Sequence, residues 1–474
     1  MQTDRRTLLG AGAAFGASLF SLAACAAKPK TLRVAVGTQD TTINCATGGL
    51  MIRELKLLEK HLPRDGAYTG VDYDIQWQNF STGAPLTNEM VAGKLDFGAM
   101  ADFPGVFNGT AFRKAGRRSL FLNVLCGSLR GSGNGIVVPA ASPVQSLAEL
   151  KGKTISVPFA STAHGMLLRA VHDLGWVPGK DVTITTQAPE VAGSALRAGT
   201  VDAHADFVPF ADLFPYRGFA RKIFDGSQAA TPTFHGSLVD ADYAAQHPEI
   251  VVAYQKAALE ADRLFAAEPE TYSEKVAKTT GIEAEVVYLF HGPLGLQTRD
   301  LTWKPEYRQA LKTAAQTLSL VKNQAITLDT DRFIDDRFIR RAFAESGLDY
   351  DEALADRSRL PLTASDALTA QPIASVDRVA QIWVAGEPKV RAYASPENAL
   401  RDLTALEKTS KAARVVYAQD RDTGIKLLAK SAAFAIGPAG QIDAFLLPSQ
   451  AQAHIRANGG HVTDFAGARA AAEA

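Results

Sequence analysis

The sequence predicts a two-lobed α/β fold followed by a small α+β domain built from two β-β-α-β repeats. Three observations carry this. A strand–helix alternation starts at Thr31 and restarts near Lys153. A Gly/Ser-rich stretch, Gly127-Ser128-Leu129-Arg130-Gly131-Ser132-Gly133, separates the two runs. In the last hundred residues, a glycine, an Ala–aromatic pair and a Pro/Ser helix start occur twice in the same order.

In the first unit, the β-branched run 32–36 reads as a strand ending at Gly37, and 50–62 has helical apolar spacing. Residues 73–77 alternate as a strand, 85–92 are helical and 95–99 return to strand. Such alternation implies parallel strands joined by crossover helices. The second unit repeats it, with strands at 153–157, 181–184 and 201–205 and helices at 163–174 and 191–197. Beyond Asp225 the pattern turns helical, with amphipathic stretches at 248–265, 269–280 and 305–320. A linker at 361–373, marked by Pro361 and Pro372, divides a unit at 25–360 from a domain at 374–474. Within that domain, strands at 381–386 and 390–393 lead to a helix from Ser395. The order recurs as 433–437, 442–445, a helix from Pro448 and a strand at 461–463.

The composition excludes several classes. Lys+Arg and Asp+Glu number 50 each in 474 residues, and no Lys/Arg run supplies the clustered basic surface that counterion release needs, so no nucleic-acid partner is expected. Apolar content of 46% rules out intrinsic disorder, because it outweighs chain entropy.

The first residues are a targeting segment, not fold. Arg5-Arg6 precede the uncharged stretch from Thr7 to Ala24, which closes with Leu22-Ala23-Ala24-Cys25. A basic start, an apolar core and small residues before a cleavage point are what export requires. The arginines resemble a twin-arginine signal, and Leu-Ala-Ala-Cys resembles a bacterial lipobox whose cysteine is acylated. This assigns 1–24 to a signal peptide and Cys25 to lipidation. An uncleaved membrane anchor is the alternative, at the short end of a spanning length. Both place the remainder outside the cytoplasm. Of the other cysteines, Cys45 and Cys126 either pair or are buried free thiols.

No nucleotide-binding glycine motif, zinc-protease motif, nucleophile elbow or Cys-x-x-Cys is present, so neither catalysis nor a cofactor or metal is expected. The stronger signal is a set of polar or Pro-marked helix starts: Ser81-Thr82-Gly83, Asp102-Phe103-Pro104 and Ser161-Thr162-Ala163-His164. Each places free backbone N–H groups at the positive end of a helix dipole, where anions bind.

Residues from about 31 to 348 resemble the periplasmic substrate-binding proteins of ABC transporters for aliphatic sulfonates, taurine and nitrate. The resemblance rests on Gly83-Ala84-Pro85-Leu86, Val91-Ala92-Gly93-Lys94-Leu95-Asp96-Phe97-Gly98, the run "SLAELKGKTISVPFAS" and Gly199-Thr200-Val201-Asp202-Ala203. It implies a type II-like periplasmic-binding-protein fold closing on a small, anionic ligand and handing it to an ABC permease. It also points to Gln39, Thr82, Gly83, Asp102, Ser161, Thr162 and His164 as pocket residues. One departure is informative. Where the family often has Trp-x-x-Trp-Asp/Glu-Pro-Tyr, this chain reads His204-Ala205-Asp206-Phe207-Val208-Pro209-Phe210. His204 and Asp206 are therefore candidates, and a ligand amino group is disfavoured unless Asp206 serves as the acid.

The last hundred residues resemble NosL, the lipoprotein accessory to nitrous oxide reductase copper-site assembly, on Ala435-Ile436-Gly437-Pro438 through Phe445, and Gly459-Gly460-His461-Val462. No Cys follows Cys126 and no Met follows Met166, so that family's copper ligands are missing. Two rival functions follow: a copper-handling accessory lipoprotein using Cys45, Met51 and Met100, and a pyrimidine-precursor synthase of the thiamin-biosynthesis type. The second lacks its Cys-rich signature.

Overall fold

The computed structural model describes residues 30–299, 301–322, 328–356 and 362–473. The expectations for 1–24 and Cys25 lie outside them. Strand β1 (Lys30–Thr38) pairs in parallel with β2 (Val71–Asn79) and β3 (Phe97–Ala101). The single helix expected at 50–62 is two, α1 (Leu50–Glu54) and α2 (Leu57–His61), broken at Lys56, whose φ is +52°. The break lets Leu50, Met51 and Ile52 of one helix and Leu57 and Leu58 of the other all reach the core. Helices α3 (Gly83–Val91) and α4 (Asp102–Lys114) lead to β4 (Ser119–Ser128), which is buried along its whole length.

The chain then crosses into the second lobe through β5 (Gly135–Pro139), β6 (Thr154–Val157), α5 (Thr162–Asp173), β7 (Thr183–Thr186), α6 (Pro189–Ala198), β8 (Ala203–Asp206), α7 (Phe210–Tyr216) and β9 (Ala220–Asp225). Its five-stranded sheet has the order β7-β6-β8-β5-β9. The return crossing corrects the expectation that the chain turns helical after Asp225. Strand β10 (Thr233–Asp240) runs antiparallel between β3 and β4. All eight of its residues are buried, so it shows no alternation, and its His235, Gly236 and Ser237 hide an apolar run. The expected long helices follow as α9 (Pro248–Ala267), α10 (Pro269–Thr280) and α12 (Pro305–Lys322), together with α8 (Ala241–Gln246), α11 (Ala284–His291) and β11 (Thr298–Arg299). Helices α13 (Thr330–Phe333), α14 (Arg337–Glu345) and α15 (Tyr350–Ala355) close the first lobe, whose six-stranded sheet has the order β11-β4-β10-β3-β1-β2. The result is two α/β lobes joined by two crossings, the predicted fold class.

The C-terminal residues form two β-β-α-β units. In the first, β12 (Ala380–Val384) lies between β13 (Arg391–Tyr393) and, after α16 (Pro396–Lys408), β14 (Ala413–Gln419), both antiparallel to it. After β15 (Lys426–Leu428), β16 (Ala433–Ile436) lies in the same way between β17 (Ile442–Phe445) and, after α17 (Pro448–Asn458), β18 (His461–Thr463). Helix α18 (Phe465–Glu473) packs beside α16.

This domain is not held by the linker alone. Tyr288 of α11 packs on Trp383 and Tyr417 at ring separations of 5.4 and 5.7 Å. The Tyr417 hydroxyl donates to the Glu285 carbonyl at 2.7 Å, and Arg414 and Lys389 pair with Glu285 and Glu270 at 2.5 and 3.0 Å.

Candidate functional site

The two lobes meet where the first turns of α4 and α5 face each other. A Cβ on Gly165 would lie 2.8 Å from the Phe103 ring, so only glycine lets α5 approach α4 this closely. Around this contact is a cavity of about 50 Å³, lined by Asp102 and Phe103 from the first lobe and by Thr162, Met166 and Arg169 from α5. Asn134, Thr231 and Thr233 on the two crossings, and Thr313 and Thr317 of α12, complete its polar lining. That volume holds one or two waters, so the lobes are closed on one another and a larger guest requires them to part.

Asp102 is the charged group at its floor. One carboxylate oxygen accepts the Phe103 N–H at 2.7 Å and the Thr233 hydroxyl at 3.3 Å. Burial, against these hydrogen bonds, pushes its pKa up to about 7, so the neutral, proton-donating carboxyl is accessible at ordinary pH. On α5, Ser161 caps the helix, its hydroxyl accepting the His164 N–H at 3.1 Å, while Thr162 faces the cavity. The His164 ring lies parallel to Phe159 at 4.6 Å and edge-on to Phe103 at 6.2 Å, and burial lowers its pKa to about 4. It is therefore neutral, and Arg169 is the cation on this wall. The Arg169 guanidinium is steadied by Asp173 at 3.1 and 3.2 Å.

Of the residues expected in the pocket, the cavity brings together Asp102 and Thr162, with Ser161 and His164 shaping the same helix start. Gly83 supports it from behind, since a Cβ there would lie 2.7 Å from Pro104. Thr82, at the α3 N-cap position, makes no capping bond and does not line the cavity. Gln39 ties β1 to β3, its amide donating to the Ala99 carbonyl at 2.8 Å.

His204 and Asp206 are placed elsewhere: both have zero exposure and lie off the cavity, inside the second lobe. His204 bonds Asp206 at 2.8 Å and Ser156 at 2.8 Å, and Asp206 also accepts the Phe207 N–H. The Ser156–His204–Asp206 chain has the order of an acyl-transfer triad, but no substrate reaches a hydroxyl with no exposed surface. Burial raises the Asp206 pKa, with His204 opposing it. In this closed state the acid facing a guest is Asp102.

Arg169 and Thr233 went unread in the sequence. Arg169 follows Thr162 by seven positions, two turns along one helix face, a spacing that would have found it. Thr233 belongs to the strand whose pattern was hidden. The copper set also fails geometrically. Met100 packs with Leu86 and Met90 on one side of the sheet, and Cys45 and Met51 belong to the core on the other. Cys45 and Cys126 are free, buried thiols, and the Cys126 thiol donates to the Asn44 carbonyl at 3.3 Å. No group of three or more His, Cys, Asp or Glu among the described residues is arranged to hold a metal.

Comparison with known proteins agrees with this architecture. Residues 75–272 match the family described as NMT1/THI5 like. The taurine-binding periplasmic protein of Escherichia coli is 26% identical over 281 residues, covering 56% of this chain and 84% of that protein. The alkanesulfonate-binding protein SsuA from Xanthomonas axonopodis, solved bound to MOPS, is 25% identical. It superposes with a TM-score of 0.52 over 66% of this chain and 100% of its own. The nitrate-binding protein NrtA from Synechocystis shares the fold, with a TM-score of 0.54 at 16% identity over 70% of this chain and 94% of its own. These three are binding proteins, not enzymes. The two-lobed part of the chain is thus similar to periplasmic sulfonate- and taurine-binding proteins, and its segment 75–272 matches the NMT1/THI5-like family.

Proposed function

We propose that the protein is the extracytoplasmic solute-binding component of an ABC importer. It is held at the membrane by lipid on Cys25, and it closes on a small anion of the sulfonate, taurine or nitrate class before delivering it to a permease. The observation that carries this is the meeting of α4 and α5 from opposite lobes around one cavity that holds Thr162, Arg169 and Thr233. Free amides at the α5 start, a hydroxyl and a guanidinium together suit an oxoanion. Asp102 spares that anion repulsion when protonated, and hydrogen-bonds it as a donor. The binding unit spans 25–360. The domain at 374–474 contributes a NosL-like fold without copper.

A thermal-shift screen of alkanesulfonates, taurine and nitrate tests the reading, since a guest at 100 times its dissociation constant adds about 2.7 kcal/mol. Thr162→Ala should then weaken the best guest by about tenfold or more, the worth of a hydrogen bond to a charged acceptor. A screen in which nothing raises the melting temperature sinks the proposal. For the anchor, Cys25→Ala should release the protein from membranes, and an unprocessed N-terminus on membrane-bound protein would contradict it.

A further inference from the structure

We propose that the C-terminal domain is a brace that seats on both lobes at once and holds them closed, so that the cleft opens only when the domain leaves the second lobe. Its first repeat rests on the first lobe. Beside the rings of Tyr288, Trp383 and Tyr417, Arg414 bridges Glu285 of α11 and Glu274 of α10, each at 2.5 Å. Glu270 of α10 accepts the Lys389 ammonium at 3.0 Å and the Val390 N–H at 3.1 Å. Helix α11 belongs to that lobe, because His291 packs on Phe265 of α9 at 5.7 Å and Arg299 of β11 holds Asp262 of the same helix at 2.5 Å.

Strand β15 and the second repeat face the other lobe. Leu427, Leu428 and Leu446 stand opposite Asp212 and Pro215 of α7 and Lys222 of β9, across a gap of about 30 Å³ that has room for about one water. The wall they cover is an ion-pair network in which Lys222 holds Asp212 and Asp225 at 2.8 and 3.1 Å. Next to this seat, Leu447 and Pro448 at the start of α17 line an open groove with Leu147, Ile223 and Phe224 of the second lobe.

The domain cannot yield between its two seats. Arg378, ahead of β12, holds Glu397 of α16 at 2.5 Å and Asp443 of β17 at 3.1 Å, and the Ile442 N–H donates to Glu397 at 2.7 Å. Asp420, after β14, accepts the Leu446 N–H at 2.7 Å, and Arg401 of α16 donates to the Ala472 carbonyl of α18 at 2.7 Å. Two lobes fixed to one rigid body cannot change their mutual angle while both seats persist, and the cavity of about 50 Å³ between them shows that the angle so held is the closed one. The seats differ in kind. Ion pairs, hydrogen bonds and stacked rings fasten the first, whereas the second is a contact of leucines edged by a groove that water enters, so the second is where the domain lets go. The brace depends on no property of the guest, and it and the solute-binding reading can fail separately.

The test uses residues 25–474 with Cys25→Ala and a reporter thiol introduced by Ala310→Cys on the cavity wall, where Ala310 is buried. Labelling by a maleimide is followed site by site by mass spectrometry, and its rate at position 310 tracks the open population when opening and closing are fast. Cys45 and Cys126, buried within the first lobe, report unfolding in the same sample. Leu446→Ala, which thins the second seat, and Arg414→Ala, which removes charged hydrogen bonds from the first, should each speed labelling at 310 about tenfold. Leu446→Met, which keeps the apolar volume, should leave the rate unchanged. Unaltered labelling in both alanine variants, or equal acceleration at Cys126, would overturn the proposal.

Discussion

Asp102 shows how a single side chain couples the cleft to pH. Its folded pKa, about 7, lies above the ordinary carboxyl value of 3.8, because burial penalises the charged form. A carboxyl that binds its proton more tightly when folded stabilises the fold fully below about pH 4, and that contribution is lost as pH rises through 7. Asp102→Asn removes the titration. The melting temperature of the wild type measured against this variant should fall between pH 4 and 7 and level off above; parallel curves would contradict the assignment. Residues of this kind were legible because a polar group before a helix start declares its position. Asp102 and Thr162 could be picked out in this way. His204 and Asp206 could be placed at a strand end, but the sequence did not show that Ser156 and the Phe207 N–H would hold them inside the lobe.

Among the elements, α10 matches its predicted bounds of 269–280, and α9 and α5 come within two residues of theirs, because apolar spacing and a Pro or Ser/Thr start act locally. Strand β10 stayed hidden because both its faces are covered, so no polar face marked its period. The C-terminal repeat was visible as a repeat, yet the sequence did not show what its first sheet packs against. Lys426 on β15 has no exposed surface, and its ammonium lies 4.2 Å from the Tyr288 ring centre and 5.2 Å from that of Tyr417. Burial drives its pKa well down, a state that only the packed α11 face maintains. A fragment from Gln371 onward would expose Trp383, Tyr417 and Lys426 together. It should therefore be largely unfolded or self-associated by circular dichroism and sedimentation, and a monomeric, cooperatively melting fragment would show that the docking is dispensable.

For the whole molecule, function depends on two lobes that close until Phe103 rests over Gly165. Gly165→Leu places side-chain atoms into that ring and should hold the lobes apart. A larger radius by small-angle scattering and at least tenfold weaker solute binding are expected, with the melting profile still cooperative; an unchanged radius would mean that the lobes close elsewhere. The sequence by itself determined the α/β class, the two runs of alternating strands and helices, and where the helices α4 and α5 start. Each of these is written in short-range periodicity, capping chemistry and chain order. Only the tertiary structure decided which helix starts meet, that Asp102 is the acid facing the cavity, and that Met100 is separated from Cys45 and Met51. Those outcomes depend on which face of a strand a side chain takes and which distant turns the sheet brings together, and no local pattern in the chain encodes either.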